Sequence, residues 1–121
     1  MSRSLSFIEI KTLSFSDAKL HRFIFSEDKL TFYCDFFYSE SRGLQDSMIE
    51  CVIAGCKNIR ITRFDKHGKN PKLVDRKSSG SIREICEWRI EDSSLMLAGF
   101  ELESGVWQTY ELDFTSFIAT Y

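Results

Sequence analysis

Proline is nearly absent from this chain, with one in 121 residues, and glycine is sparse at six, so collagen-like and low-complexity classes are excluded. Histidine occurs only at positions 21 and 67. His21 reads as a strand residue and His67 as a solvated loop residue. HExxH, GxSxG, glycine-rich phosphate loops and EF-hand patterns are all missing, and with them the common hydrolase, nucleotide and calcium chemistries. The four cysteines, Cys34, Cys51, Cys56 and Cys86, form no CxxC pair, and the spacing of Cys51 and Cys56 does not suit zinc. They read as reduced thiols packed as small apolar residues. No metal, no cofactor and no catalysis is expected. No run reaches the roughly 18 apolar residues of a membrane helix. The opening "MSRSLSFIEI" lacks the continuous apolar stretch of a secretory signal, so a cytoplasmic protein without membrane partners is expected.

What the chain has in quantity is aromatic and β-branched sequence. Eleven Phe, four Tyr and two Trp in 121 residues can fill a core without disulfide staples, and the length fits one domain over 1–121. Alternation with period two marks strands at 20–25, 30–38, 47–53, 58–64, 81–90, 95–103 and 106–114. A further strand is read at 6–10, and 47–56 also reads as one or two turns of helix. The connections "SEDK", "EDSS" and "SG" are hairpin-length, and 47–53 and 58–64 read as a pair around Ala54-Gly55. The fold class is all-β: a single-domain antiparallel β-sandwich or partly open barrel of seven to eight strands with little or no helix.

Charge is unevenly placed. Residues 57–80 hold eight Lys/Arg and two Asp, net +6, whereas 81–121 hold two Arg and eight acids, net −6. The basic stretch at about 65–80, "DKHGKNPKLVDRKSSG", reads as a long exposed loop. Its Lys66, Lys69, Lys72, Arg76 and Lys77 could contact phosphates in a nucleic-acid-binding β-barrel using 57–80. Phe64 is the one aromatic nearby, which gives little stacking surface. Solubilising lysines, self-association with the acidic region, and an aromatic-lined small-ligand barrel are the other readings.

In the C-terminal meander, a two-residue "SG" turn would pair Leu102 with Trp107 and Leu97 with Leu112. A four-residue "EDSS" loop would pair Trp88 with Leu97 and set Glu84 opposite Glu101. One face then gathers Cys86, Trp88, Ile90, Leu95, Leu97, Tyr110, Leu112 and Phe114 as core, with Gly99 leaving room for the Tyr110 ring. The other carries Glu87, Arg89 and Glu111 and an apolar stripe of Ile85, Phe100, Leu102 and Trp107. That stripe is either covered or a binding patch. The Glu84–Glu101 pair is either a solvated edge or a cation site.

The stretch "GFELESGVWQTYELDF" (99–114) has a Gly-Phe-Glu arm, a Ser-Gly turn and a Trp–x–x–Tyr arm. Over residues 81–114 the chain resembles small bacterial immunity proteins of contact-dependent growth inhibition systems. The resemblance implies a cytoplasmic inhibitor that binds one cognate toxin domain, in many cases a nuclease with a basic cleft, and occludes its active site. Partner-binding residues expected on that basis are Glu84, Phe100, Glu101, Leu102, Glu103, Trp107 and Glu111. An acidic surface would steer association with a basic cleft.

Overall fold

Strand pairing accounts for nearly every element. The computed structural model describes residues 4–15 and 17–121. A short helix α1 (Phe7–Lys11) precedes β1 (Ala18–Ser26), β2 (Lys29–Cys34), β3 (Phe37–Ser39), β4 (Gly43–Gln45), β5 (Ile49–Ala54) and β6 (Lys57–Arg63). Then follow β7 (Lys72–Val74), β8 (Glu84–Ile85), β9 (Glu87–Glu91), β10 (Ser94–Phe100), β11 (Trp107–Asp113) and β12 (Ser116–Thr120). They form two five-stranded sheets, β12-β5-β2-β1-β8 and β7-β6-β11-β10-β9, and a separate β3-β4 hairpin. Every ladder is antiparallel. The all-β class is therefore as expected.

The inner faces of the two sheets meet in one core. The first sheet contributes Phe23, Leu30, Phe32, Ile49, Cys51 and Ile53, and the second contributes Ile61, Leu95, Leu97, Tyr110 and Leu112. Phe23 meets Tyr110 edge-on at 5.2 Å, and Trp88 meets Phe32 at 6.0 Å, so aromatic rings bridge the layers. Each such side chain contributes about 1.5–3 kcal/mol by leaving water. In β1, "AKLHRFIFS", the buried positions shift from Ala18 to Phe23, which breaks strict alternation. A β-bulge absorbs the change: Leu20 faces Cys34 and Arg22 faces Tyr33, so exposed His21 is the extra residue.

Residues 81–86 join the two sheets along one side. Glu84 and Ile85 pair with Lys19 and Ala18 of β1. The amides of Arg83 and Cys86 meanwhile donate to the carbonyls of Phe100 and Ala98 on β10, at 2.9 and 2.8 Å. The sandwich is thereby closed on that side like part of a barrel. Gly99 makes the crossing possible, because a Cβ there would lie 2.1 Å from the Glu84 carbonyl oxygen. The space at Gly99 serves a neighbouring backbone rather than the Tyr110 ring, and Gly99 faces Gln108.

Several sequence expectations are corrected. Residues 6–10 begin a helix, not a strand. "SFIE" is a capping box, with the Glu9 amide donating to Ser6 Oγ at 3.2 Å and the Ser6 amide to Glu9 Oε1 at 3.1 Å. The 47–56 stretch is strand, but β5 and β6 do not pair. β5 lies between β2 and β12, and β6 between β11 and β7. Gly55, at φ +68° and packed on Thr115, turns the chain from one sheet into the other. The 30–38 strand breaks after Cys34 and the 81–90 strand at Cys86. With β4, β7 and β12 added and two strands split, seven or eight strands become twelve among the described residues.

Candidate functional site

The outer face of the second sheet is built by register. Across β9, β10, β11 and β6, Glu91, Ser94, Asp113 and Lys57 form one row, and Arg89, Met96, Glu111 and Arg60 the next. The third row is Glu87, Ala98, Thr109 and Thr62, extended by Leu73 of β7, and the fourth is Phe100 and Trp107. From row to row the face changes from charged to apolar. At the charged end a shallow concavity of about 390 Å³ lies between Arg60, Arg89, Glu91 and Glu111. Asp113 is committed there: it accepts from Ser94 Oγ at 2.7 Å and Asn58 Nδ2 at 2.8 Å, and these bonds hold its carboxyl below the usual range. Among the described residues the carboxylates of Glu87, Glu91, Glu103 and Glu111 have no hydrogen bond or ion pair, since the one ion pair joins Arg42 to Glu9.

At the apolar end Phe100 and Trp107 face each other directly, edge to face at 5.2 Å. Phe100 is 37% exposed, Leu102 56%, and Trp107 is half-buried. The stripe is thus open to solvent, although Ile85 is not part of it, being buried on β8. The turn differs from expectation. Leu102–Gly105 is a four-residue loop, closed by the Glu101 amide to the Val106 carbonyl at 2.8 Å and the Gly105 amide to the Glu101 carbonyl at 2.9 Å. Leu97 consequently faces Tyr110 and Phe100 faces Trp107. The slip is two residues, so the paired side chains of β10 and β11 keep their expected faces.

Glu84 and Glu101 are not opposite one another. Ile82 faces Glu101, and Glu84 faces Lys19, because the chain leaves the second sheet at Cys86. Glu101 is only 6% exposed. Its carboxylate accepts from the Glu103 amide (2.7 Å), the Ser104 amide (3.1 Å) and Ser104 Oγ (2.8 Å). Burial pushes its pKa up, but these donors and nearby Arg63 outweigh burial and leave it lowered. Of the seven acidic and apolar residues singled out in sequence, Phe100, Leu102, Glu103, Trp107 and Glu111 are brought together on or beside one face. Glu84 lies on the β8 seam and Glu101 points into the loop.

The 65–80 segment is not one long loop. It contains edge strand β7, paired with β6, between two tight turns. Asp65 accepts from the amides of Lys69 and His67, both at 2.9 Å, and from Asn70 Nδ2 at 2.8 Å. Asp75 accepts from the Ser78 amide at 2.8 Å. These donors lower both carboxyls below the usual range. Lys66, Lys69, Lys72, Arg76 and Lys77 are all exposed, and Arg76 lies over the Phe25 ring at 5.7 Å.

Sequence reading missed Gln108, the fully buried hub behind this segment. Its Nε2 donates to the Ser79 carbonyl at 2.8 Å and to the Tyr110 hydroxyl at 2.6 Å, while its Oε1 accepts from Arg63 Nε at 2.8 Å. Arg63 also donates to the Ser78 and Ser79 carbonyls at 3.1 and 2.8 Å. The available signal was parity, since Gln108 shares the inward phase of Tyr110 and Leu112. Comparison with protein-family models, curated proteins and solved structures finds no match.

Proposed function

We propose that the protein is a non-catalytic binding protein that docks a protein partner on the outer face of the second sheet. The specific reading is an immunity protein that neutralises a cognate cytoplasmic toxin domain by covering its active site. One observation carries it: the solvent-open Phe100–Trp107 pair, with exposed Leu102 and Glu103 on the adjoining loop, shares the outer face with the uncommitted carboxylates of Glu87, one row away, and Glu111, two rows away. Apolar anchors ringed by charge are the usual composition of a protein-binding hot spot. Acids at the rim accelerate encounter with a basic partner and fix its orientation.

If a toxin-like polypeptide is encoded immediately upstream, its C-terminal domain is the partner to test. Co-purification and protection against that domain's toxicity are expected. Trp107→Ala should weaken binding by about 2 kcal/mol or more if it is an anchor. Reversing Glu103 and Glu111 should slow association most at low salt. Binding that is indifferent to all three changes at several salt concentrations would refute the assignment. A second reading, nucleic-acid binding through 57–80, is supported by the exposure of its five named cations. It requires salt-dependent binding of oligo(U) or oligo(dT) that weakens on neutralising Lys69, Lys72 and Lys77.

A further inference from the structure

We infer that residues 4–15 form an exchangeable strap, and that two copies of this chain pair by trading it, each strap seating on the other copy's body. The partner is a second copy, and the surface is the one that the chain's own strap covers in the closed form.

The strap takes its order from what it covers. Its helix α1 has five residues, too few to persist alone in water. Leu5, Ile10, Leu13 and Phe15 are buried in the core. At one end the Leu5 amide donates to the Ala119 carbonyl of β12 at 3.0 Å, and Ser4 faces Thr120. At the other end the Phe15 ring packs on Trp88 of β9 at 4.7 Å and on Phe32 of β2 at 5.7 Å. Between them, Ser14 and Tyr38 of β3 exchange backbone bonds at 2.9 and 3.0 Å, and Glu9 pairs with the Arg42 guanidinium. A strap from a second copy would make the same contacts, so exchange loses none of them.

The covered edge calls for such a strap. β12 is the outer strand of the first sheet, and residues 115–121, "TSFIATY", carry no charged side chain. The outer strands of the second sheet are guarded differently, by Lys72 on β7 and by Glu87, Arg89 and Glu91 on β9. Charge on an edge strand discourages further pairing, and an uncharged edge invites it. Leu5 already pairs there as an added strand does.

The closed form also carries a strain at the strap's link to β1. The Ala18 amide donates to the Phe15 carbonyl at 2.8 Å, closing a four-residue turn. Asp17, at the third position of that turn, has φ +67°. That position suits glycine, and a side chain there is disfavoured. Crossing to a second copy opens the turn and lets Asp17 extend. Short strained hinges of this kind favour exchange over closure.

The experiment refolds the full chain from urea at low and high concentration and sizes the products by light scattering. A dimer share that rises with concentration is expected. Asp17→Gly should lower the dimerisation constant, and Asp17→Val raise it, by about tenfold or more, because two turns open per dimer. Ser4→Cys copies are then co-refolded with Thr120→Cys copies bearing a different tag. The two positions face each other across an antiparallel bridge, a spacing that suits a disulfide. Mild oxidation should link the differently tagged copies through those positions, above the level of a wild-type mixture carrying only the native cysteines. A chain that stays monomeric after refolding at high concentration overturns the inference. So does a dimer without that cross-link, or a dimerisation constant indifferent to both Asp17 changes. None of these results touches the outer face of the second sheet, whose docking reading stands or falls on its own test.

Discussion

Replacing Gly99 by alanine should open the seam that joins the two sheets. The new Cβ would sit 2.1 Å from the Glu84 carbonyl oxygen and 3.4 Å from Ile82 Cδ1. Ordinary contact begins near 3.4 Å, so one backbone must retreat from the other by more than an ångström. No flexible side chain can yield instead, because the first obstacle is main chain. Overpacking of this kind typically costs about 1–3 kcal/mol. The amides of Arg83 and Cys86, bonded to Phe100 and Ala98 on either side of Gly99, would stretch as well. Each weakened hydrogen bond adds about 0.5–1.5 kcal/mol. A loss of roughly 2–6 kcal/mol is therefore expected, a large part of a typical domain's stability of about 5–15 kcal/mol. Urea unfolding measures it, with amide exchange at 81–86 and 98–100 reporting the site of damage. A loss below about 0.5 kcal/mol, the range of an ordinary surface change, would refute the close approach.

Three further outcomes follow from other parts of the fold. The Arg42 guanidinium and the Ser6 amide hold the Glu9 carboxyl at about 2 against an ordinary 4.5. A lowered folded-state value means that this contact stabilises the protein above the ordinary value and is lost as pH falls toward 2. Glu9→Gln should therefore lower the urea midpoint at pH 7 and flatten its acid dependence between those values; an unchanged acid limb would exclude the contact. Gln108→Leu would leave the Arg63 guanidinium and the Ser79 carbonyl short of partners, at about 1–3 kcal/mol, and trypsin should then cut faster at Arg76 and Lys77. Burial pushes the thiols of Cys34 and Cys51 up, so a thiol reagent should leave both untouched in the native state; fast labelling of either would contradict their burial.

Parity and register were not equally legible in the sequence. A sheet with two unlike faces forces alternation, so the core positions Leu95, Leu97, Tyr110 and Leu112 and the outer positions Phe100, Trp107 and Glu111 could be assigned from pattern alone. A two-residue slip in the turn preserves that assignment. Pairings do not survive such a slip, which is why Leu102 opposite Trp107 failed while the outer face held; Glu84 opposite Glu101 failed separately, because the chain leaves the second sheet at Cys86. What sets the turn is the Glu101 carboxylate reaching two loop amides, a side-chain bond that the "SG" dipeptide does not announce. The expected β5–β6 hairpin failed for a related reason. Neighbouring strands usually pair, but Gly55 and its contact with Thr115 direct the chain into the other sheet. Strand β12 was missed because "SFIAT" is short and its edge role depends on pairing with distant β5.

If the outer face docks a protein as proposed, the strand order constrains that partner's charge more tightly than net composition does. The Phe64 amide bonds to the Trp107 carbonyl at 3.0 Å, so the 65–70 turn begins at the same end of the sheet as Phe100 and the Leu102–Gly105 loop. Exposed Lys66 and Lys69 therefore flank the apolar group on the β6 side, and Glu103 and Glu87 lie toward the β10 side. A uniformly basic cleft would be repelled along one flank, whereas a partner carrying basic and acidic patches on either side of an apolar pocket would meet both. Charge reversal distinguishes the two. With a polarised partner, Glu103→Lys and Lys69→Glu should each slow association severalfold at low salt, and the effects should fade as salt screens them. If Lys69→Glu instead speeds association while Glu103→Lys slows it, the partner is basic throughout, and the β6–β7 hairpin is a repulsive border rather than part of the contact.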